Sequence, residues 1–352
     1  MIETFRRKAS VRVLIAAMLL AGASQMQATD NEKDDAVDRR PKIGGTVRAK
    51  YEYQTEEGKG RFEVRTARIN VTGAVNPYIS YKAEIDLCDE GSIKMLDAYT
   101  RFTPWKTLQF TIGQERVPFT IDAPRSPHLQ YFANRSFIAK QVGNVRDVGA
   151  DLGYTWNPGF PIVLNAGLFN GSGLTNLKNF WTKSVNYAAK LQFLMPNVNV
   201  VLSTMKVKPD DITVTMYDAG ITYHNSRFVA EAEYLYKHYS KDAFQDVHSV
   251  DVFACYDIPL HCKMLNKVSP LVRYDFMTDH SDGSRYNATD DSPGELIIND
   301  YKRSRITAGL TLTLTKLKSD IRLNYEKYFY EKDATPKTSE RDKIVVEFVT
   351  HF

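Results

Sequence analysis

Residues Tyr78 to Cys88 read YISYKAEIDLC and divide by parity. Ile79, Tyr81, Ala83, Ile85 and Leu87 are apolar, whereas Tyr78, Ser80, Lys82, Glu84, Asp86 and Cys88 are polar or small. Successive side chains of a strand point to opposite faces, so the stretch predicts a strand with one oily and one wet face. The pattern recurs along nearly the whole chain, at spacings too short for intervening helices. It predicts sixteen strands: 42–54, 61–75, 78–88, 94–103, 106–117, 147–156, 162–169, 184–195, 198–207, 213–223, 227–240, 247–257, 268–277, 302–315, 319–330 and 342–352. Turn chemistry follows the even strands from the second to the tenth, as Asn76-Pro77, Pro104-Trp105, Asn157-Pro158-Gly159, Pro196-Asn197 and His224-Asn225-Ser226. Longer polar segments follow odd strands, notably 118–146 and 278–301. Short turns at one end and long loops at the other are the asymmetry of an outer-membrane barrel, with the even turns and both termini toward the periplasm.

Upstream of the first strand lies a segment with another purpose. Arg6, Arg7, Lys8 and Arg12 precede the apolar run Val13 to Leu20, and small residues Ala21, Gly22, Ala23 and Ala28 follow, which is the layout of a secretory signal over residues 1–28. The run is too short to span a bilayer, and cleavage after Ala23 or after Ala28 fits the small-residue rule. Residues 29–41 then form a short periplasmic segment, and 42–352 the barrel domain. The whole chain carries a net charge of +4. Removing the leader's four basic residues and one acid leaves about +1, so a preference for anions must come from where charges point and not from their sum. With 20 tyrosines, 18 phenylalanines and three cysteines, the composition suits strands and interfacial girdles better than a disulfide-stapled secreted domain.

The chain's end completes the pattern. Asp342 to Phe352 alternates Ile344, Val346, Phe348 and Thr350 before the aromatic Phe352, a closing-strand signal of outer-membrane barrels. A soluble β-sandwich could mimic the alternation, but it needs Greek-key connections between two stacked sheets, and these junctions are nearest-neighbour hairpins. The expected fold is therefore all-β: a transmembrane, antiparallel, up-and-down barrel of about sixteen strands. A barrel of that size has a wet interior, because its lumen is too wide for side chains to fill.

The polar faces assigned to the channel carry Arg48, Lys50, Arg68, Lys82, Arg101, Lys190, Arg273, Arg303, Arg305 and Arg322. Acids share them, including Glu52, Glu84, Asp86, Asp97, Glu115, Asp151, Glu231 and Glu326. Any single arginine there serves either the passage or a wall salt-bridge network that keeps the barrel round. The segment Val117 to Arg146 adds Arg125, Arg135, Lys140 and Arg146, against acids Asp122 and Asp147. Guanidinium groups offer phosphate and carboxylate oxygens a planar fork of donors, and a ring of them at a constriction selects anions. The other reading of this loop is a cover for the mouth whose cations bind lipopolysaccharide.

Three ordered motifs sharpen the reading: Phe62-Glu63-Val64-Arg65-Thr66-Ala67-Arg68-Ile69, Gly113-Gln114-Glu115-Arg116-Val117-Pro118-Phe119 and Arg146-Asp147-Val148-Gly149. Over Gly44 to Tyr154 the chain resembles the phosphate-selective porins O and P. The carboxyl-terminal half is similar in hairpin layout only. The resemblance implies a sixteen-stranded porin, usually a homotrimer, with an inward-folded third loop and a series of arginines that hand small anions such as phosphate from one to the next. Matched by motif, Arg65, Arg68, Arg116 and Arg146 are expected to face the pore. Arg125 and Arg135 join them from their loop position, and Arg48, Arg101 and Arg305 from strand phase. The chain departs from the family in its trimmed loops and in lacking the amino-terminal coiled coil of some members.

Other functions find less support. An enzyme needs nucleophile, base and orienter together, but the seven histidines are scattered and no Gly-x-Ser-x-Gly elbow occurs. Cys255, His261 and Cys262 lack a fourth ligand for zinc, and a Cys255–Cys262 disulfide across a turn is weighed against unpaired thiols. Asp279, Asp282, Asp290 and Asp291 read as a solvated loop, since their spacing does not match an EF-hand. No cofactor, metal or nucleic acid is expected. The expected surroundings are outer-membrane lipid and lipopolysaccharide, and the alternative to a conducting channel is an occluded structural or adhesive barrel.

Overall fold

A computed structural model describes residues 38–352 apart from 90, 123–124, 144, 175–179, 210, 287–293 and 332–333. The expected leader and most of the segment 29–41 lie outside the described residues, as do Asn287, Asp290 and Asp291 of the acidic loop. Sixteen long strands run in chain order: β1 (Lys42–Gln54), β2 (Lys59–Ala74), β3 (Ile79–Asp89), β4 (Ser92–Trp105), β5 (Leu108–Arg116), β6 (Arg146–Trp156), β7 (Ile162–Phe169), β8 (Asn186–Leu194), β9 (Val198–Val207), β10 (Val214–His224), β11 (Phe228–Tyr239), β12 (Val247–Tyr256), β13 (Lys267–Met277), β14 (Arg303–Leu314), β15 (Ser319–Tyr330) and β16 (Lys343–His351). Each pairs antiparallel with its neighbours in sequence, with Ile258–Pro259 extending the edge of β12 against β13. The first and last strands pair from Thr46↔His351 to Gln54↔Lys343, so the sheet closes on itself and no edge is left unpaired. The expected up-and-down barrel of sixteen strands is the observed fold.

The parity read in the sequence is the parity of the wall. In β3, Glu84 and Asp86 are buried inside while Ala83 and Leu87 face out. In β12 the inward set is Val247, Ser249, Asp251, Phe253 and Cys255, and the outward set includes Val252 and Tyr256. Polar groups inside and apolar groups outside invert the pattern of a soluble globule, in which the apolar set would turn inward. Tyr223, Tyr256 and Trp105 stand exposed toward one end of the barrel, and Tyr217, Tyr234, Tyr274 and Phe329 toward the other, an arrangement of two aromatic bands.

The connections depart from strict alternation. After β5, β7, β13 and β15 the links are long, but 55–58 and 90–91 are as tight as most turns at the opposite end, and 208–213 is shorter than 257–266 there. Register shifts accompany the two tight hairpins. On β2, Arg48 pairs with Thr66 and Ala49 with Val64, which leaves Arg65 as the extra residue of a β-bulge. Between β3 and β4, Glu84 pairs with Asp97 and Ile85 with Met95, which leaves Leu96 extra. A bulge puts two consecutive side chains on one face and increases the local twist, re-aiming the residues beside it.

The third loop of that end, described within 117–145, folds into the lumen. Thr120 and Ile121 donate their backbone N–H groups to Ser203 Oγ (3.1 Å) and Glu233 Oε1 (2.7 Å) on the β9–β11 wall. The chain then runs toward the end that holds the termini, where the His128 ring stacks on His351 at 4.7 Å. It returns along β13 to β15 to a short helical turn, Ala139–Gly143. Val117, Phe119, Phe137, Ile138 and Val142 of the loop pack with Phe169, Met205, Val214, Met216, Leu235, Tyr239 and Met277 of the wall. The lumen therefore contains an apolar core on the β7–β13 side, which the sequence reading did not anticipate. On β10 and β11 the inward residues at the loop-bearing end, Val214, Met216, Leu235 and Tyr239, are apolar with the exception of Lys237, so the polar-in rule weakens where a loop, and not water, covers the wall.

Candidate functional site

The inward loop divides the interior into a filled side and a wet side. Toward β13, β14, β15, β16 and β1 the charged groups are sealed: Arg305 and Arg322 are 3% and 1% exposed in their side chains. Arg48 donates to Glu347 (Nε, 2.8 Å), Gln130 Oε1 (2.8 Å) and the Ala133 carbonyl (2.7 Å). Arg305 reaches Asp275, Glu326 and the carbonyl of Arg135, and lies over the Phe137 ring. Arg322 reaches Glu347 and the carbonyl of His128. These arginines clamp the loop to the wall. Along β2 to β4, by contrast, Arg65 and Arg101 keep 34% and 31% of their side chains exposed, so water reaches this wall.

The four motif arginines meet on the wet side. Arg68 bonds Asp86 (3.0 Å) and approaches Glu84 (3.4 Å). Arg146 bonds Asp97 (2.7 Å) and approaches Glu84 from the other side (3.4 Å). Lys82 completes this knot through Asp97 (2.6 Å) and Glu84 (2.8 Å). Three cations thus face three carboxylates, and the knot is neutral. Arg65 and Arg68 differ in parity and could not share a face on a regular strand, but the bulge turns Arg65 inward, where it approaches Glu63 at 4.0 Å and bears electrostatically on Arg48. Arg101, over the ring of Tyr99, reaches Thr111 (3.0 Å) and Glu115 (3.7 Å).

Arg116 is the exception. It pairs directly across from Arg146 in the β5–β6 ladder, a like-charge placement that costs stability. Arg146, Arg135 and Arg68 all act on it as repelling charges. Among the described residues it has no carboxylate within salt-bridge distance, and its hydrogen bond is to the carbonyl of Arg125 (3.3 Å). Gly113 sets this geometry: its φ is +133°, and a Cβ there would lie 2.3 Å from the Ala98 carbonyl oxygen, so only glycine fits the kink that re-aims Gln114, Glu115 and Arg116. The glycine of the second motif thus has a steric reason that its sequence neighbours do not disclose.

From the loop, Arg135 and Arg125 close the cluster. Both grip Asp122, at 2.6 Å and 3.0 Å, and Arg125 also bonds Glu231 (2.8 Å). Burial pushes the Asp122 carboxyl up, but Arg135 and Arg125 outweigh it and hold it below the ordinary carboxylate range. Such a group stabilises the fold fully above its ordinary value and loses that contribution only as pH falls through the lowered one. Amide exchange over 117–145, divided by the intrinsic exchange rate at each pH, is therefore expected to be as slow at pH 5 as at pH 7 and to quicken only below about pH 4. Asp122→Asn should make it fast already at pH 7, and wild-type loss of protection at pH 5 would reject Asp122 as the anchor.

Sequence reasoning named the arginines and most of their acids, but it gave Asp122 no bridging role and missed the aromatic pair Tyr131 and Phe132, which packs on Phe253. Asp122 lies three residues before Arg125, a spacing that could have flagged it. Cys255 and Cys262 are free thiols, one buried and one exposed. Of the acidic loop, Asp279 accepts from the Lys302 amide and Asp282 from the Ser284 amide. Among the described residues no group of three His, Cys, Asp or Glu side chains is placed to hold a metal.

A closed sheet of sixteen antiparallel strands with a charged interior and an inward third loop is the architecture of a porin. Residues 42–193 match the family model of the phosphate-selective porins O and P, the stretch that holds the three motifs. Among curated proteins none matches the chain. Solved structures do: the OmpF–daunomycin complex of Salmonella typhi (12% identity, TM-score 0.62, 89% of this chain and 98% of that one), the anion-selective porin of Comamonas acidovorans (11%, 0.61, 89% and 99%) and the outer membrane channel DcaP of Acinetobacter baumannii (15%, 0.59, 89% and 97%). At these identities the likeness is one of fold.

Proposed function

We propose that this porin works in the outer membrane of a Gram-negative cell as a water-filled, passive channel that prefers small anions, phosphate among them. The observation that carries the reading is Arg116: a guanidinium without a carboxylate partner, ringed by Arg68, Arg135 and Arg146, on the side of the lumen that water reaches. Neighbouring charges there are neutralised pairwise, so Arg116 leaves a local positive excess that a passing anion can balance. Arg65, Arg68, Arg101, Arg135 and Arg146 belong to the same passage, and Arg125 fixes the loop that narrows it. Arg48 and Arg305 hold that loop from behind. Residues 1–28 serve as the export signal, the outward apolar faces meet lipid, and the working unit is a homotrimer, in keeping with the trimer form of OmpT, an outer membrane protein of Vibrio cholerae with the same fold.

The apolar packing of the loop favours a second reading, a barrel closed by its own loop. One measurement separates the two. In a planar bilayer under a potassium chloride gradient, the purified protein is expected to conduct, with a reversal potential on the chloride side. A potential on the potassium side rejects the anion reading, and absence of conductance establishes the closed barrel.

A further inference from the structure

Below the loop, toward the end that bears the termini, the lumen opens into a cavity of about 350 Å³. One of its walls is unlike the rest of the wet interior. Leu194, Val201 and Val229 face inward there, and Ile121 and Tyr131 of the loop cover them from above. These residues follow the inward parity of β8, β9 and β11, so the apolar wall is built by the same rule that elsewhere delivers charges. Arg125, Lys190 and the acid Glu231 line it as well, and Glu233 and Asp218 beside the cavity also act on Lys190.

The polar groups of the cavity retain donors. Lys190 donates to the Thr120 carbonyl at 2.5 Å, which uses one of its three N–H bonds. Gln192, Asn199 and His224 also line the cavity, and none of these side chains makes a hydrogen bond to another described residue. Water covering Leu194, Val201 and Val229 gains nothing from them, whereas a hydrocarbon surface placed there leaves water. A bare phosphate could use the donors but not the apolar wall.

We propose that this vestibule binds small organic anions that carry an apolar body, their carboxylate held by Lys190, Gln192 and Asn199 and their hydrocarbon part laid against Leu194, Val201 and Val229. The inference rests on the anion-channel reading and narrows its substrate class. A solute of this kind meets complementary surface on both its halves, as small-molecule sites do when an apolar cavity carries a few convergent polar groups. The cavity volume lies within the range of roughly 300–1,000 Å³ typical of such sites.

The test uses the purified, full-length barrel in planar bilayers. Chloride current is recorded while sodium phenylacetate or sodium acetate is added to the side that the chain termini face. Phenylacetate is expected to block at about one tenth of the acetate concentration, because a phenyl ring buries apolar area that a methyl group cannot. Val201→Asn should bring the two concentrations together, and Val229→Ser makes the same test of the wall if the first variant fails to insert. Equal block by the two anions in the wild-type channel overturns the proposal, as does a preference for phenylacetate that survives a wall substitution. The chloride reversal potential, read in the same membranes, reports the anion preference separately, so loss of one is distinguishable from loss of the other.

Discussion

Replacing Arg116 by glutamine should lower the chloride-to-potassium permeability ratio about tenfold, with the barrel's stability unchanged or improved. A hydrogen bond from a charged donor contributes about 1.5–3 kcal/mol, and 1.4 kcal/mol corresponds to a factor of ten. Arg116 can deliver that much to a passing anion because no carboxylate of the protein competes for it among the described residues. Stability should not suffer, since the change removes a cation that faces Arg146 across the β5–β6 ladder. Arg135→Ala acts in the same direction but also frees Asp122, so it should disturb the loop as well. Ile85→Val on the outward face serves as the control. A permeability ratio that moves equally in Ile85→Val and Arg116→Gln would remove Arg116 from the passage.

The second large effect is expected at Glu347. This carboxylate is fully buried and receives both Arg48 (2.5 Å) and Arg322 (2.9 Å). The same two guanidiniums hold the loop backbone at His128 and Ala133. Glu347→Ala leaves two buried cations without their counter-ion, and breaking a buried pair in this way costs about 3–5 kcal/mol. The cost falls on the loop's attachment, because both cations can regain water only if the loop withdraws. Unit conductance should therefore rise, open-channel noise should increase and the denaturation midpoint should fall. Glu63→Ala, at a carboxylate that keeps partial exposure beside Arg61 and Arg65, is the comparison and should leave conductance unchanged. Unaltered conductance in Glu347→Ala would mean that the loop does not depend on this clamp.

The strand map was legible because the rule behind it is local. An apolar outer surface and a polar lumen force period two on every strand, and Tyr78 to Cys88 displays it without tertiary knowledge. The motif arginines were legible for the same reason, as charges on a wet face. Parity does not register an inserted residue, so the bulge that turns Arg65 inward lay outside its reach, as did the positive φ of Gly113. Nor could it divide the arginines by role. Arg48 and Arg116 look alike in sequence, and only the path of 117–145 across the lumen makes the first a loop clamp and leaves the second bonded to the Arg125 carbonyl without a carboxylate within salt-bridge distance among the described residues. The apolar core on β10 and β11 was hidden because its partner lies about a hundred residues away, on that same loop.

The seam between β1 and β16 joins residues some three hundred positions apart, with Phe352 and Gly45 exchanging reciprocal backbone bonds at 3.1 Å. A Cβ on Gly45 would collide with the Phe352 ring and crowd the Arg68 carbonyl oxygen, so the absence of a side chain lets the ring lie over the seam. Every hairpin can zip up early from its own turn, but this last join comes only after all the others are laid down. Until then the growing sheet carries two bare rims that would bond to any other strand nearby. Closure removes both rims at once, because the newest strand of the ring bonds to its oldest.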